Sequence, residues 1–174
     1  YERGAFTGAN EAKPGRLEAA HHGTLVLDEI AYLSVEAQAK FLRVIETREF
    51  ERLGGRRTIK VDARLIALTN VDLAGAVERR DFREDLFYRI HVVPIPVPPL
   101  RERGQGDVLR LIAHFVDKFG RRHSRPKVSL TEGATERLLA HDYPGNIREL
   151  ENCIEQAVVL CDGDVIHSRD LSLP

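Results

Sequence analysis

The sequence predicts an α/β domain with a parallel sheet, followed by a small all-helical domain. Two short apolar runs, LVLDEI at residues 25–30 and RLIALTN at residues 64–70, alternate with helical periodicity, which is typical of buried parallel strands. The proline-rich segment PPLRERGQGD begins at residue 98, and only helical periodicity follows it. We therefore expect one domain at residues 1–99 and a second at residues 100–174.

The first part of the chain contains further local signals around the two strands. Ser34 is a good N-cap for a helix that extends to about Thr47, with Glu36 in its first turn. The other predicted elements are a short helix at residues 14–20, a loop or hairpin at 48–57, helices at 72–80 and 83–90, and a third strand at 92–97. Because the carboxyl ends of parallel strands form the usual binding crevice, polar residues there are candidate site residues.

Three helices are predicted in the second part. The first extends from Asp107 to about Arg121, and Thr131 caps the second, which reaches about His141. Asn146 is the expected cap of the third, which ends near residue 161 and places apolar residues on one face: Ile147, Leu150, Ile154, Val158 and Cys161.

Composition narrows the class of protein. The 174 residues carry 26 Lys+Arg and 27 Asp+Glu, a net charge of −1, which excludes a broad basic face for nucleic-acid binding. The two cysteines, Cys153 and Cys161, are about 12 Å apart on one helix, so we expect reduced thiols in a cytoplasmic protein. No apolar run is long enough to span a membrane, and the lack of any methionine suggests a piece of a longer chain.

Acidic and amide side chains follow the two predicted strands. Asp28 and Glu29 end the first, and Asn70 ends the second. In nucleotide hydrolases one such acid holds Mg²⁺ and a second polarises the attacking water. The alternative is that the acids are merely solvated and that Asn70 is a turn residue.

Three arginines are candidates for phosphate binding. Arg83 and Arg89 lie six residues apart in FREDLFYRI, and Arg148 lies near the start of a helix, where a base opposes the helix dipole. Arg83 and Arg89 could instead pair with the neighbouring Glu84 and Asp85, and Arg148 with Glu149 or Glu151.

The segment GAFTGA combines small residues with one aromatic. It consists of Gly4, Ala5, Phe6, Thr7, Gly8 and Ala9. It is either a frayed terminus or a mobile loop that presents Phe6 to a partner. The seven histidines show no metal-ligand spacing, and no serine or cysteine nucleophile motif is present.

Taken in order, the motifs resemble one family throughout nearly the whole chain, from Glu2 to about Leu173. They are ERGAFTGA, GTLVLDEI, QAKFLRVIE, FERLGG, ALTN, FREDLFYRI, PPLRER and PGNIRELEN. Their order and spacing resemble the central AAA+ ATPase domain of bacterial enhancer-binding proteins, which activate RNA polymerase carrying sigma-54. The resemblance implies part of a P-loop-type α/β sheet followed by a helical lid.

The resemblance also implies roles for individual residues. Asp28 and Glu29 match the Walker B pair, with Asp28 as the ligand of Mg²⁺. Thr69 and Asn70 match the first sensor of the ATP γ-phosphate. Arg83 and Arg89 match the arginine fingers, which reach the nucleotide of the neighbouring subunit in a ring. Arg148 matches the second sensor, on the helical lid.

For partners, the resemblance implies sigma-54, contacted by Phe6 and Thr7 of the segment at residues 4–9. It also implies self-association into a ring, expected to be a hexamer, with DNA bound only through a C-terminal domain that this sequence lacks, and no membrane contact. The sequence contains no GxxxxGK[ST] phosphate loop, so we expect this chain alone to bind ATP poorly. The alternative function is a non-catalytic interaction domain that presents GAFTGA.

Overall fold

A computed structural model of the chain describes residue 11 and residues 13–173. It contains two compact units, the first ending at Ile95 and the second beginning at Pro96. The segment at residues 4–9 lies outside the described residues. The two units are described separately below.

The first unit alternates short strands with helices. Its elements are α1 (Arg16–Ala19), β1 (Thr24–Leu27), a 3₁₀ turn (Ile30–Tyr32), α2 (Val35–Thr47), β2 (Glu49–Glu51), β3 (Thr58–Lys60), β4 (Arg64–Ala67), α3 (Leu73–Glu78) and α4 (Glu84–Ile90). The charged segment after α2 is a hairpin, in which β2 pairs antiparallel with β3. The α/β class predicted from the sequence is confirmed.

Strands β1 and β4 form a two-stranded parallel sheet, with Leu25 opposite Leu65 and Leu27 opposite Ala67. Both strands alternate between exposed and half-buried residues. Val26 is 53% exposed and Ile66 38% exposed. The expectation of strands buried on both faces is therefore wrong for the described residues, which cover one face of the sheet only.

Helix α2 shares a small core with the half-buried face of the sheet, to which Leu27 and Ala67 belong. The Ser34 hydroxyl accepts a hydrogen bond from the Ala37 N–H, as its predicted capping role requires. Phe41, Leu42 and Ile45 lie on the apolar face of α2 and pack on a small core. The fully buried members of that core are Ile30, Ala76, Phe82 and Leu86.

The predicted third strand at residues 92–97 is absent, and this segment is irregular. Val92 and Val93 are 74% and 76% exposed, and Ile95 is 80% exposed. Pro94 and Pro96 have no N–H to donate, so every second position of the segment lacks a donor for a sheet. Alternation of apolar residues does not produce a strand where no neighbouring strand is available for pairing.

The second unit is built around three helices. Its elements are a 3₁₀ turn (Leu100–Glu102), α5 (Gln105–Arg122), β5 (Ser129–Leu130), α6 (Glu132–Ala140), α7 (Asn146–Leu160), β6 (Val165–Ile166) and a second 3₁₀ turn (Ser168–Asp170). Thr131 caps α6 as predicted, accepting from the Ala134 N–H. The two-residue parallel pair of β5 and β6 is an addition that the helical prediction missed.

The apolar faces of α5 and α7 meet in one core. Val108, Ile112, Phe115 and Phe119 from α5, and Leu150, Ile154 and Val158 from α7, are all buried in it. Cys153 and Cys161 are buried there as free thiols, as expected. Burial raises the pKa of the Cys153 thiol.

The predicted capping role of Asn146 is wrong. The N-cap of α7 is Gly145, and Asn146 is the first helical residue, with a positive φ of 55°. Its side-chain carbonyl accepts from the backbone N–H of Leu100 at 2.8 Å. The amide therefore ties the start of α7 to the first turn of the unit instead of capping its own helix.

Candidate functional site

The polar residues that follow β1 and β4 lie at the same edge of the sheet. Parallel pairing brings the two carboxyl ends together, and two backbone hydrogen bonds continue the pairing beyond the strands. The Leu68 N–H donates to the Leu27 carbonyl at 2.8 Å, and the Ile30 N–H donates to the Leu68 carbonyl at 3.1 Å. Asp28 and Glu29 are thereby held beside the segment that leads to Asn70.

Glu29 has an unusual backbone conformation. Its φ of 55° and ψ of 44° lie in the left-handed region, which is costly for a residue with a Cβ and is found preferentially at functional sites. The Asp28 carboxylate accepts the Glu29 N–H at 2.9 Å. Both side chains are exposed, and neither makes an ion pair within the described part of the chain.

Thr69 and Asn70 form the other half of this edge. The Thr69 hydroxyl accepts a hydrogen bond from the Val71 N–H at 3.0 Å, which closes a tight turn directly after β4. The next polar residue, Asp72, caps α3 by accepting from the Ala74 N–H. The Asn70 side chain is exposed at this turn.

Arg83 lies immediately before α4 as its N-cap residue. Its guanidinium donates two hydrogen bonds to the Asp85 carboxylate, from Nε at 3.0 Å and from a terminal nitrogen at 2.6 Å. These hydrogen bonds hold the pKa of Asp85 below its ordinary value and raise the pKa of Arg83. Both side chains are partly exposed to solvent, so the pair that the sequence offered as an alternative exists in this structure.

Arg89 lies in the last turn of α4, where a positive charge is favourable to the helix dipole. It is exposed and makes no ion pair among residues 13–173. Arg83 and Arg89 thus lie at opposite ends of α4, Arg83 as its N-cap and Arg89 in its last turn. Only Arg83 is paired with a carboxylate, that of Asp85.

Arg148 is exposed in the first turn of α7, in the second unit. The two acids offered as its partners are engaged elsewhere. Glu149 contacts the His141 ring at 2.7 Å and accepts the Gly145 N–H at 2.7 Å, and Glu151 pairs with Lys118 at 2.6 Å. The His141 contact, followed by the Gly145 N–H, lowers the pKa of Glu149. The pairing alternative for Arg148 is therefore wrong.

Two family descriptions match this sequence. "Sigma-54 interaction domain" matches residues 1–96, and "AAA+ ATPase lid domain" matches residues 101–173. The chain belongs to the sigma-54 interaction domain family. The helical second unit corresponds to the lid of that family's AAA+ fold.

Curated relatives of this chain include a nitrogen fixation protein and several regulatory proteins. The nitrogen fixation protein AnfA of Azotobacter vinelandii is 50% identical over 171 residues, which are 98% of this chain and 32% of AnfA. A Nif-specific regulatory protein of Rhizobium leguminosarum bv. trifolii is 50% identical over 99% of this chain and 48% of its own length. The regulatory protein AtoC of Escherichia coli (strain K12) is 49% identical over 98% of this chain and 37% of its own length. The chain therefore spans about a third to a half of these relatives.

Solved structures of NtrX from Brucella abortus have the same fold. One has a TM-score of 0.87 at 38% identity and covers 96% of this chain and 38% of NtrX. Another, in complex with ATP, has a TM-score of 0.85 at 39% identity and covers 91% of this chain and 37% of NtrX. The assignment of the chain to an AAA+ fold with a helical lid is confirmed.

Sequence reasoning missed one polar residue in this sigma-54 interaction domain. Gln38 is fully buried in α2, and its side chain contacts the backbone of Arg83. A signal was available, because Gln38 precedes Phe41, Leu42 and Ile45 by three, four and seven residues and therefore lies on their apolar face. A polar side chain at such a position needs internal hydrogen-bond partners.

The described residues contain no preformed group of three metal-ligating side chains. No helix among the described residues is long and apolar enough to cross a membrane.

Proposed function

We propose that this domain acts within its complete gene product as a Mg²⁺-dependent ATPase that remodels RNA polymerase carrying sigma-54. The observation that carries the proposal is the pairing of β1 with β4, because it gathers Asp28, Glu29, Thr69 and Asn70 at one sheet edge. The family membership supports the same conclusion.

The residues at this edge suit the required chemistry. Asp28 is the proposed ligand of Mg²⁺, since its carboxylate is exposed and has no cationic partner among the described side chains. Mg²⁺, when bound with ATP, would neutralise charge on the phosphate oxygens. Glu29 is the proposed residue that orients the attacking water. Thr69 and Asn70 lie one strand away, where hydroxyl and amide groups can report on the γ-phosphate.

The arginines supply the positive charge that phosphoryl transfer needs. We assign Arg83 and Arg89 as fingers that reach the nucleotide of the neighbouring subunit in a ring, where one such residue contributes about 10³–10⁵-fold in rate. Arg83 would exchange the Asp85 carboxylate for phosphate oxygens, which the partial exposure of the pair allows. Arg148, exposed at the start of a lid helix, is the proposed second sensor.

Phe6 and Thr7 are the proposed contacts to sigma-54, and contact with DNA is assigned to a different part of the protein. The sequence has no GxxxxGK[ST] motif, so tight ATP binding requires phosphate contacts that these 174 residues do not supply. The second candidate function is a non-catalytic domain that only presents GAFTGA.

A Glu29→Ala substitution in the complete gene product separates the two functions. We expect ATP turnover to fall at least ~10²-fold while binding of a fluorescent ATP analogue persists. Glu36→Ala is the matched control, because Glu36 is an exposed acid in the first turn of α2. If the unsubstituted gene product does not hydrolyse ATP, the non-catalytic function is favoured, and unchanged turnover in Glu29→Ala would remove the role of Glu29.

A Thr7→Ala substitution tests the partner. Turnover should stay near the wild-type value, whereas transcription from a sigma-54 promoter in a reconstituted assay should be lost. Loss of both activities would argue that the segment at residues 4–9 is structural.

A further inference from the structure

Gln38 is the fully buried polar side chain of the described residues, with 0% of its surface exposed. It lies one turn into α2, on the face that carries Phe41 and Leu42, and α2 packs against α4. Burial of an amide in such surroundings is costly unless its polar atoms are all paired.

Every polar group of this side chain is paired with backbone. The Gln38 amide nitrogen donates to the Leu33 carbonyl at 2.8 Å and to the Asp81 carbonyl at 3.0 Å. Its amide oxygen accepts from the Arg83 N–H at 2.8 Å. A glutamine has two N–H donors and one carbonyl, so each has a partner.

The contact with Arg83 has a specific structural consequence. The N–H of an N-cap residue is often accepted by a Glu or Gln three residues later in the same helix. In α4 that acceptor comes instead from Gln38, 45 residues earlier in the chain. The place where the backbone enters α4 is therefore set by α2, and not by α4 alone.

Gln38 also contacts the segment that follows the acidic edge, by which we mean the end of β1 that carries Asp28 and Glu29. Leu33 closes the 3₁₀ turn that begins at Ile30, directly after Glu29. One side chain therefore connects the segment that follows Glu29 to the backbone of Arg83. Since the Gln38 side chain itself is shielded from water, its hydrogen bonds are expected to persist when contacts between exposed side chains exchange.

Arg83 is thus held in two different ways. Its side chain is tethered to Asp85, and both members of that pair are partly exposed and can exchange partners. Its backbone is held by a buried amide. A flexible side chain on a fixed backbone is the arrangement that a reaching arginine needs, because a shift of about 1 Å in a catalytic group can cost about 10²-fold in rate.

We propose that Gln38 is a positioning residue for Arg83, fixing the finger's backbone relative to the acidic edge through the three hydrogen bonds of its buried side chain. This inference rests on the proposed function of Arg83 as a finger. It assigns Gln38 no contact with nucleotide. Loss of Gln38 should therefore slow turnover without weakening ATP binding.

The test compares Gln38→Leu, Arg83→Ala and the double variant in the complete gene product. Gln38→Leu keeps the side-chain volume and removes all three hydrogen bonds. We expect it to lower kcat about 10–100-fold with KM for ATP within about twofold of wild type. Arg83→Ala should lower kcat about 10³-fold or more, and the double variant should match Arg83→Ala alone, since Gln38 acts only through Arg83.

Leu42→Ala controls for general destabilisation. Leu42 lies in the same helix and packs on the same core, and it has no hydrogen-bonding side chain. Its substitution should lower the thermal midpoint and leave kcat near wild type below that midpoint. If Gln38→Leu does not fold, Gln38→Asn, which keeps the amide but is shorter by one methylene, is judged by the same criteria.

Three results would overturn the inference. A normal kcat in Gln38→Leu together with a slow Arg83→Ala would refute the positioning role and leave the finger assignment intact. An additive double variant would show that Gln38 acts independently of Arg83. A normal kcat in Arg83→Ala would refute the finger assignment, and the positioning role with it.

Discussion

The two units bury apolar side chains to different extents. Among the described residues, eighteen buried side chains form the core of the second unit, whereas four form the core of the first. The first unit also leaves apolar residues of its sheet exposed, with Val26 at 53% and Ile66 at 38%. The helical unit therefore closes its core with its own residues, whereas the described residues of the α/β unit leave one face of its sheet uncovered.

The second unit is closely packed, whereas the candidate site of the first unit is open to solvent. The candidate site in the first unit lies at the edge of a two-stranded sheet, where side chains are exposed and one backbone residue is strained. The second unit carries a single candidate, Arg148, on a helix whose opposite face is fully packed. We expect the free energy of unfolding to fall more when a side chain is truncated in the larger, more densely packed core.

The largest expected effect is in the core of the second unit. Ile154 is fully buried, and we expect Ile154→Ala to lower the free energy of unfolding by about 4–5 kcal/mol. Leu86→Ala in the smaller core of the first unit should cost about 2–3 kcal/mol, because half-buried neighbours can relax into the cavity. Hydrogen exchange of the amides in each unit measures both losses. Equal losses would contradict the comparison.

A smaller effect is expected for one buried hydroxyl. Tyr143 is 2% exposed, and its hydroxyl donates to the Leu138 carbonyl at 2.6 Å. Tyr143→Phe leaves that carbonyl unpaired and should destabilise the second unit by about 1–3 kcal/mol. Tyr88→Phe in the first unit is the matched control, since Tyr88 is 68% exposed and its change should stay within about 0.5 kcal/mol.

Acid should weaken both units by the same mechanism. The Arg52 guanidinium lowers the pKa of Glu18 in the first unit from 4.5 to about 2. Because this pKa is lower in the folded state, the stabilisation is fully present above pH 4.5 and is lost as pH falls towards 2.

Urea unfolding as a function of pH tests whether stability is lost in acid as predicted. Glu18→Gln should flatten the dependence of first-unit stability on pH between 4.5 and 2. Glu149→Gln makes the matching test in the second unit, where His141 lowers the pKa of Glu149. An unchanged pH dependence in Glu18→Gln would mean that the Arg52 pair does not contribute to stability in solution.

The smallest effect is expected on the exposed face of the sheet. Val26→Thr should change the free energy of unfolding of this chain by no more than about 0.5 kcal/mol. Leu27→Ala, one position further along β1 and packed on the core, should cost at least about 1 kcal/mol. Denaturant unfolding of the two variants checks the alternation, and a large loss in Val26→Thr would show that this face is covered in solution.

Local patterns predicted most helices and their caps. Ser34 and Thr131 cap the helices that the sequence assigned to them, because an N-cap acts on amides two or three residues away. The predictions of a strand at residues 92–97 and of a cap at Asn146 were wrong, because both outcomes depend on contacts with distant parts of the chain. A strand needs a paired neighbour, and the Asn146 side chain bonds Leu100, 46 residues away, so neither outcome is encoded locally.

The candidate site was also predicted only where its residues belong to local motifs. Motifs identified Asp28, Glu29 and Asn70, and the position of each at a strand end followed from the apolar run before it. Gln38 was missed. Its place on the apolar face of α2 indicates that it is buried, but nothing near it in sequence indicates that its partner is Arg83.

By itself, the sequence determined where the helices capped by Ser34 and Thr131 begin, which residues follow the strands and which family motifs the chain carries. Those features depend on side chains a few positions apart, whose geometry the backbone of a helix or strand sets directly. Only the tertiary structure decided that β1 pairs with β4, that Arg83 is tethered to Asp85, and that Gln38 holds the Arg83 backbone. The first and third of these join residues roughly 40 positions apart, and such contacts form only when packing brings distant segments together.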